Sequence, residues 1–354
     1  MAKSGCIYGP TSSFKTTAIA HLAHYIAKKT GKATLLFSAD GGGWAPCDEE
    51  VRAGMIRPYR CDTATIPLPI VRKVSQGYWP QNPEETDISK VRFSQVNWDE
   101  VGAIAVEGFT SIGTMFMRHA ADKNLKTGEE GTSKFYQPIN IDGTIQQEIF
   151  AGSSKGHYNF VQNQLYGMTM NLTSLPVEYV LFTGLEKKAE DDDRTTVYGV
   201  SVPGKAVTNQ IPTWVGDLLH AQDYAVSRKV RVPPPGRKPE ECKPEEFVDT
   251  DVVDTVCRYY FKKHPDPATG IMFPAKPRIS HGAVRELEKR FPGGYFEPTP
   301  DEGFDRYLEV IDELSAGRGD SLRNWRAEAD RKLGRGSQPV PKPAQAAVAV
   351  AVSK

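Results

Sequence analysis

The amino-acid sequence predicts an α/β fold centred on a mostly parallel, doubly wound sheet, with hairpins at the sheet edge and a C-terminal helical extension. Three observations carry that expectation. Strand-length apolar runs alternate with segments of helical periodicity through the first half of the chain. The runs are apolar at successive positions rather than at every second one, which suits strands covered on both faces. After residue 187 the pattern changes to shorter extended segments punctuated by Gly and Pro.

Taken in order, residues 4–8 (SGCIY) form the first strand and stop at Gly9. Residues 16–29 follow as a helix with Ile19, Leu22, Ala23 and Ile26 on one face. Residues 33–38 (ATLLFS) are the second strand. Pro67, Pro69, Pro80 and Pro83 exclude a long helix from the next stretch, which reads as an irregular excursion over 41–98 with a short extended piece at 55–60. Residues 101–106 (VGAIAV) resume the sheet and 109–121 supply the helix after it. Residues 123–156, rich in Gly, Lys, Thr and Ser, read as an inserted loop. An amphipathic helix over 158–175 leads into the strand 177–183 (VEYVLFT). Beyond it, 196–202 and 221–232 suggest edge hairpins, and five prolines within 232–244 suggest a linker. The chain thus divides into a core over 1–232, an extension over 233–333 with a strand at 270–280 and helices, and a low-complexity tail over 334–354 expected to be disordered.

Composition narrows the function classes. At 354 residues the chain has enough length for one large core with additions. Lys plus Arg number 44 and Asp plus Glu also 44, so no global field draws the protein to a polyanion, and contact with nucleic acid needs a local patch. The five cysteines are scattered without a C-x-x-C pair, which reads as reduced thiols in a cytoplasmic protein. The first apolar residues belong to a strand rather than to a leader, and no run of about 18 apolar residues suggests a bilayer span. A soluble protein without a membrane partner is expected.

The most informative segment is Gly9-Pro10-Thr11-Ser12-Ser13-Phe14-Lys15-Thr16-Thr17. It fits the phosphate-binding pattern G-x-x-x-x-G-K-[ST] everywhere but at the second glycine, where Phe14 stands. A loop between strand and helix turns successive backbone N–H groups inward onto phosphate oxygens, and the helix N-terminus adds its positive dipole end. Lys15 would reach the β- and γ-phosphates of ATP, Thr16 would place its hydroxyl on Mg²⁺, and Thr17 would contact the α-phosphate. A side chain at position 14 restricts the backbone where glycine is usual.

A phosphoryl-transfer site also needs carboxylates at neighbouring strand ends, because positioning and charge dominate that chemistry. Glu107 ends the run AIAVE and would hold Mg²⁺ through a water; a solvent-facing acid is the alternative. Asp40 ends LLFSAD and would orient the attacking water. Asp40 also opens Asp-Gly-Gly-Gly, an ordinary turn sequence, so both roles stay open for it.

With GPTSSFKTT, LLFSAD, AIAVEGFTSI, VEYVLFTGLEKK and SVPGKAVTNQIPTWVGDLL in this order, residues 4–220 resemble the RecA-like P-loop ATPases. The likeness is strongest to the phage-encoded group that includes single-strand annealing, recombination and replication factors. The resemblance implies that Asp40 matches the catalytic acid after the second strand and Glu107 the Walker B acid. Thr183 and Glu186 would stand at the sensor position that passes nucleotide state to DNA-binding loops. It also implies homo-oligomeric rings or filaments in which a cation of one subunit reaches the phosphates of the next. Lys276 and Arg278, two apart in FPAKPR, are the candidates for that trans finger, against ordinary surface charge. Single-stranded DNA and a phage single-strand binding protein are the implied partners, in the host cytoplasm if the chain is phage-encoded. Phe14 for glycine, Glu107 for aspartate and Asp40 for the longer glutamate depart from the family pattern and suggest slow or regulated turnover.

Three cationic segments suit DNA weakly: 123–134 with Phe135 and Tyr136, Lys187 with Lys188, and 228–238. His21 and His24 lie three apart on the first helix without a carboxylate or cysteine at metal-ligand spacing. The alternatives to a DNA-stimulated ATPase are a nucleotide-gated scaffold without turnover and, behind it, a small-molecule or nucleotide kinase.

Overall fold

A computed structural model describes residues 2–11, 13–40, 44–61, 68–83, 85, 89–122, 138–141, 145–148, 155–190, 196–234, 237–238, 240, 243, 246–266, 269–298 and 303–316. The main elements, in chain order, are β1 (Lys3–Gly9), α1 (Lys15–Thr30), β2 (Ala33–Ser38), α2 (Asp48–Arg52), β3 (Ile56–Arg60), α3 (Leu68–Ser75), β4 (Val101–Glu107), α4 (Phe109–Asp122), α5 (Lys155–Ser174) and β5 (Tyr179–Glu190). They continue as β6 (Thr196–Val200), α6 (Lys205–Trp214), β7 (Asp217–Val232), β8 (Val248–Tyr260), α7 (His281–Arg290) and β9 (Tyr295–Phe296), and a last helix covers residues 304–316.

The sheet has nine strands in the order β9-β8-β7-β1-β5-β4-β2-β3, with β6 paired to β5 off this path. The six strands from β7 to β3 are parallel, whereas β8, β9 and β6 are antiparallel additions at the edges. Every residue of β2 and β4 is buried, which accounts for their unbroken apolar spelling. Two core layers cover the sheet. Ile19, Leu22 and Ile26 of α1 pack on one face with Leu287, Phe304 and Tyr307. Ile70, Ile112, Phe116, Leu165 and Ile211, from α3 to α6, pack on the other. The doubly wound α/β expectation is therefore met.

This winding positions the site. The chain leaves β1 over one face toward β2 and β3, returns over the opposite face through β4 and β5, and then crosses to β7 on the far side of β1. The carboxyl ends of β1, β4 and β5 consequently meet at a point where the direction of winding reverses, the usual place for a ligand crevice in such sheets.

Three helices are absent from the sequence expectation, the short α2 and two longer ones. Residues 68–75 form α3, because Pro69 falls in its first turn, where a missing N–H costs no hydrogen bond, and Ile70 and Val71 gain burial. Residues 205–214 form α6 despite Pro212, with Val207, Ile211 and Trp214 in the core. For so short a helix, tertiary burial rather than propensity decides. The proposed strand at 270–280 reduces to Met272–Phe273 and an isolated bridge between Leu218 and Lys276. The hairpin of β7 and β8 carries the chain past residue 232 while keeping both strands in the main sheet. Of the inserted loop, 138–141 pair with 145–148, and residues 155–156 open α5. The rest of that loop up to 154, the cationic segment 123–136 and the tail 334–354 lie outside the described residues. The four described cysteines, Cys6, Cys47, Cys61 and Cys257, are buried, and no disulfide joins them. Among the described residues no helix is long and apolar enough to cross a membrane.

Candidate functional site

The loop after β1 leaves the sheet at Gly9, where a side chain would collide with the Ala221 carbonyl of β7 and press on Ser13 Oγ at 2.9 Å. Glycine is required there by close approach of two backbones. Ser13 is fully buried and donates to the Pro10 carbonyl at 2.8 Å. Phe14 occupies the left-handed region (φ 54°, ψ 20°), and among the described residues it alone does so without being glycine. The backbone restriction expected at position 14 is thus real, and the chain meets it by holding Phe14 in the conformation that glycine adopts freely. Its ring is 44% exposed, so packing of the side chain does not hold it.

Lys15 opens α1, and its ammonium lies on the Gly9 carbonyl at 3.3 Å, on Ser13 Oγ at 2.9 Å and on the Pro10 carbonyl. Burial pulls its pKa down, while the charges of Asp40, Cys257, Asp223 and Glu186 oppose that shift. Thr16 and Thr17 follow in the first turn of α1; Thr11 and Pro10 lie in the described loop, and Ser12 lies outside it.

The acids expected at the strand ends converge on the same place. Glu107 is 3% exposed; its Oε1 accepts from Thr16 Oγ1 and its Oε2 from Ser38 Oγ at 2.7 Å. The solvent-facing alternative for Glu107 is therefore excluded. Burial raises its pKa, against the lowering effect of the Thr16 and Ser38 hydrogen bonds. Asp40 accepts from Ser111 Oγ at 3.1 Å and adds to the upward shift of Glu107. A threonine hydroxyl and two carboxylates side by side form a hard-oxygen set of the kind Mg²⁺ takes together with phosphate and water, and a buried carboxylate of this sort is relieved by a nearby cation.

Thr183, buried in β5, accepts from the Gly108 N–H at 3.4 Å, directly after Glu107. Glu186 stands in β5 just past the last residue paired with β1 and pairs with His220 Nε2 at 2.9 Å, and His220 Nδ1 meets His264 Nε2 at 2.9 Å. The rings of His220, His264, Phe273 and Tyr260 stack successively beside Tyr8 at the end of β1. Sequence inspection missed this column because its members lie up to 265 positions apart, from Tyr8 to Phe273, on five separate strands.

Burial lowers the pKa of His220, and burial with the neighbouring His220 lowers that of His264 to about 4 from 6.5. The His264 ring then stays neutral in the folded chain down to about pH 4, while the unfolded chain binds a proton below pH 6.5, so its contribution to stability is full above that value and declines toward about pH 4; the lowered pKa of His220 acts in the same direction. We expect His264 to contribute a loss of about 1.4 kcal/mol per pH unit in that window. Urea denaturation at pH 7 and pH 5 measures it, and His264→Phe should flatten the dependence; an unchanged slope would refute the assignment.

Lys276 and Arg278 lie at the opposite, amino-terminal end of the parallel strands. Lys276 exchanges both backbone hydrogen bonds with Leu218, and burial lowers the pKa of its ammonium. The Arg278 N–H donates to Asp217 at 2.6 Å, and its guanidinium donates to the Ala2 carbonyl at 3.4 Å. Neither is brought to the loop of its own chain. His21 and His24 pair with Asp305 and Glu50, at 3.0 and 2.9 Å, and no metal-ligating cluster occurs among the described residues.

No family model matches the chain, and no curated protein matches it. Among solved structures it is similar to a RadB recombinase, with 10% identity, a TM-score of 0.37, and coverage of 84% of this chain and 87% of that one. It is also similar to a KaiC-like protein from the hyperthermophilic archaeon Pyrococcus horikoshii OT3, with 10% identity, a TM-score of 0.32, and coverage of 77% and 89%.

Proposed function

We propose that this chain binds Mg²⁺-ATP at the loop Gly9–Thr17 and hydrolyses it, as a RecA-like ATPase whose own copies assemble on single-stranded DNA in recombination or replication. The observation that carries this reading is the meeting of Lys15, Thr16, Glu107 and Asp40 at one crevice. The Thr16 hydroxyl is bonded directly to Glu107, 91 positions away. A structural helix cap would leave Lys15 and that buried acid without a purpose.

In the reaction a water attacks the γ-phosphate and ADP leaves. Lys15 turns from the loop carbonyls to the β- and γ-phosphates, and the loop N–H groups hold their oxygens. Thr16 and Glu107 would hold Mg²⁺, which supplies charge neutralisation on the phosphates when bound. Asp40, fixed by Ser111, orients the water and accepts hydrogen bonding from it.

The test is phosphate release from ATP with and without single-stranded DNA, with Lys15→Ala as control. Turnover raised by DNA and absent in the control is expected. A second reading, binding without turnover in a nucleotide-gated scaffold, is favoured by the hold of Lys15 on Gly9, Pro10 and Ser13. ATP binding with no phosphate release under either condition would select it.

A further inference from the structure

We infer that Tyr259, aided by Cys257, is the positioning residue that shapes the nucleotide-binding loop in place of the missing glycine. The inference rests on the nucleotide-binding reading of that loop and adds a residue 245 positions beyond Phe14 to it. Tyr259 Oη donates to the Phe14 carbonyl at 2.7 Å, and Cys257 Sγ donates to the Ser13 carbonyl at 3.3 Å. Both come from β8, two residues apart, and so present their side chains on the same sheet face. Tyr259 pairs with Ala221 across the ladder, the residue whose carbonyl crowds Gly9. The loop is thus fixed at its first residue by β7 and at its last two before the helix by β8.

The consequence follows from peptide geometry. A trans peptide is planar, with its C=O and the next N–H pointing in opposite directions. Capturing the Ser13 and Phe14 carbonyls toward β8 therefore turns the N–H groups of Phe14 and Lys15 the other way. Fixing N–H directions in this manner is what a phosphate cradle requires. The left-handed conformation of Phe14 is unfavourable for a residue with a Cβ, and a second carbonyl contact, from the Ala18 N–H, is long at 3.4 Å. Tyr259 is wholly buried, and burial raises its pKa well above the ordinary phenol value, with the charges of Cys257 and Asp223 adding to the rise. The hydroxyl stays a donor at every working pH. Removing it leaves the Phe14 peptide free to rotate toward the right-handed region, where the N–H of Lys15 no longer faces the phosphates.

Glycine needs no such restraint, and this gives a test that a merely structural tyrosine does not pass. Affinity of the full chain for ATP with Mg²⁺ is measured by calorimetry in the wild type, Tyr259→Phe, Phe14→Gly and the double variant. Thermal unfolding of each checks that it is folded; phenylalanine keeps the ring and its packing. We expect Tyr259→Phe to weaken binding about ten-fold in the wild-type background, and less than about two-fold in the Phe14→Gly background. Equal losses in both backgrounds, or no loss in the first, overturn the inference while leaving nucleotide binding intact. A folded wild-type chain that binds no ATP overturns both.

Discussion

Replacing Lys15 with alanine is expected to lower the affinity for Mg²⁺-ATP by about a hundred-fold or more, with the fold retained. The ammonium is already desolvated at the mouth of the loop, and Asp40, Asp223 and Glu186 all act to keep it charged. A hydrogen bond from a buried cation is worth up to about 3 kcal/mol, or roughly two factors of ten in binding. Losing it also leaves those acids facing a triphosphate without a counter-charge, so the loss is larger than that of one contact. Alanine has the higher helix propensity at this first residue of α1, and of the partners it abandons, the buried Ser13 Oγ keeps its own bond to the Pro10 carbonyl. Calorimetric titration beside circular dichroism separates lost binding from lost structure. A folded Lys15→Ala chain that still binds ATP tightly would remove the central claim about this site.

Much of the fold is written locally, and the site only partly so. ATLLFS and VGAIAV announce buried parallel strands because every position is apolar or small, and the helix after Gly9 announces itself by spacing. The helices α3 and α6 were hidden for the opposite reason: each is short and carries proline, so only burial against the sheet makes it helical. The strand β5 also runs further than its apolar stretch, to Glu190, because antiparallel pairing with β6 continues the ladder through polar residues. In the site, the loop from Gly9 to Thr17 is contiguous and hence legible, and Asp40 and Glu107 are visible as acids closing apolar strands. Ser38 was in plain view within LLFSAD, a hydroxyl one turn of the pleat before Asp40, and its bond to Glu107 could have been suspected from that. Nothing local marks Cys257 or Tyr259. They reach the loop only because β8 folds back along β7, and the sequence distance across that hairpin carries no pattern that names its target.

Glu107→Gln is expected to separate stability from turnover. Its carboxyl is buried, and burial raises its pKa above the ordinary 4.5, so the folded chain holds that proton more tightly than the unfolded chain does. The sign follows: below pH 4.5 both states are protonated and there is no penalty; from there up to the raised pKa the folded chain must hold a proton that the unfolded chain has released, and above the raised pKa the penalty is constant, that of a buried carboxylate. Glutamine removes the charge and keeps an acceptor for one of the two hydroxyls, while the other rotates to accept from the amide N–H. The variant should be more stable than the wild type at pH 8 by on the order of 1 kcal/mol, and the gain should vanish near pH 4. Turnover should fall about 10- to 100-fold, since a group that holds the metal's surroundings loses its charge. Urea denaturation at the two pH values and steady-state phosphate release measure the two effects. A residue kept for structure gives the opposite result, a less stable protein with turnover intact. The expected pair of outcomes instead identifies a buried carboxylate that destabilises the free protein and is retained for the cation it holds.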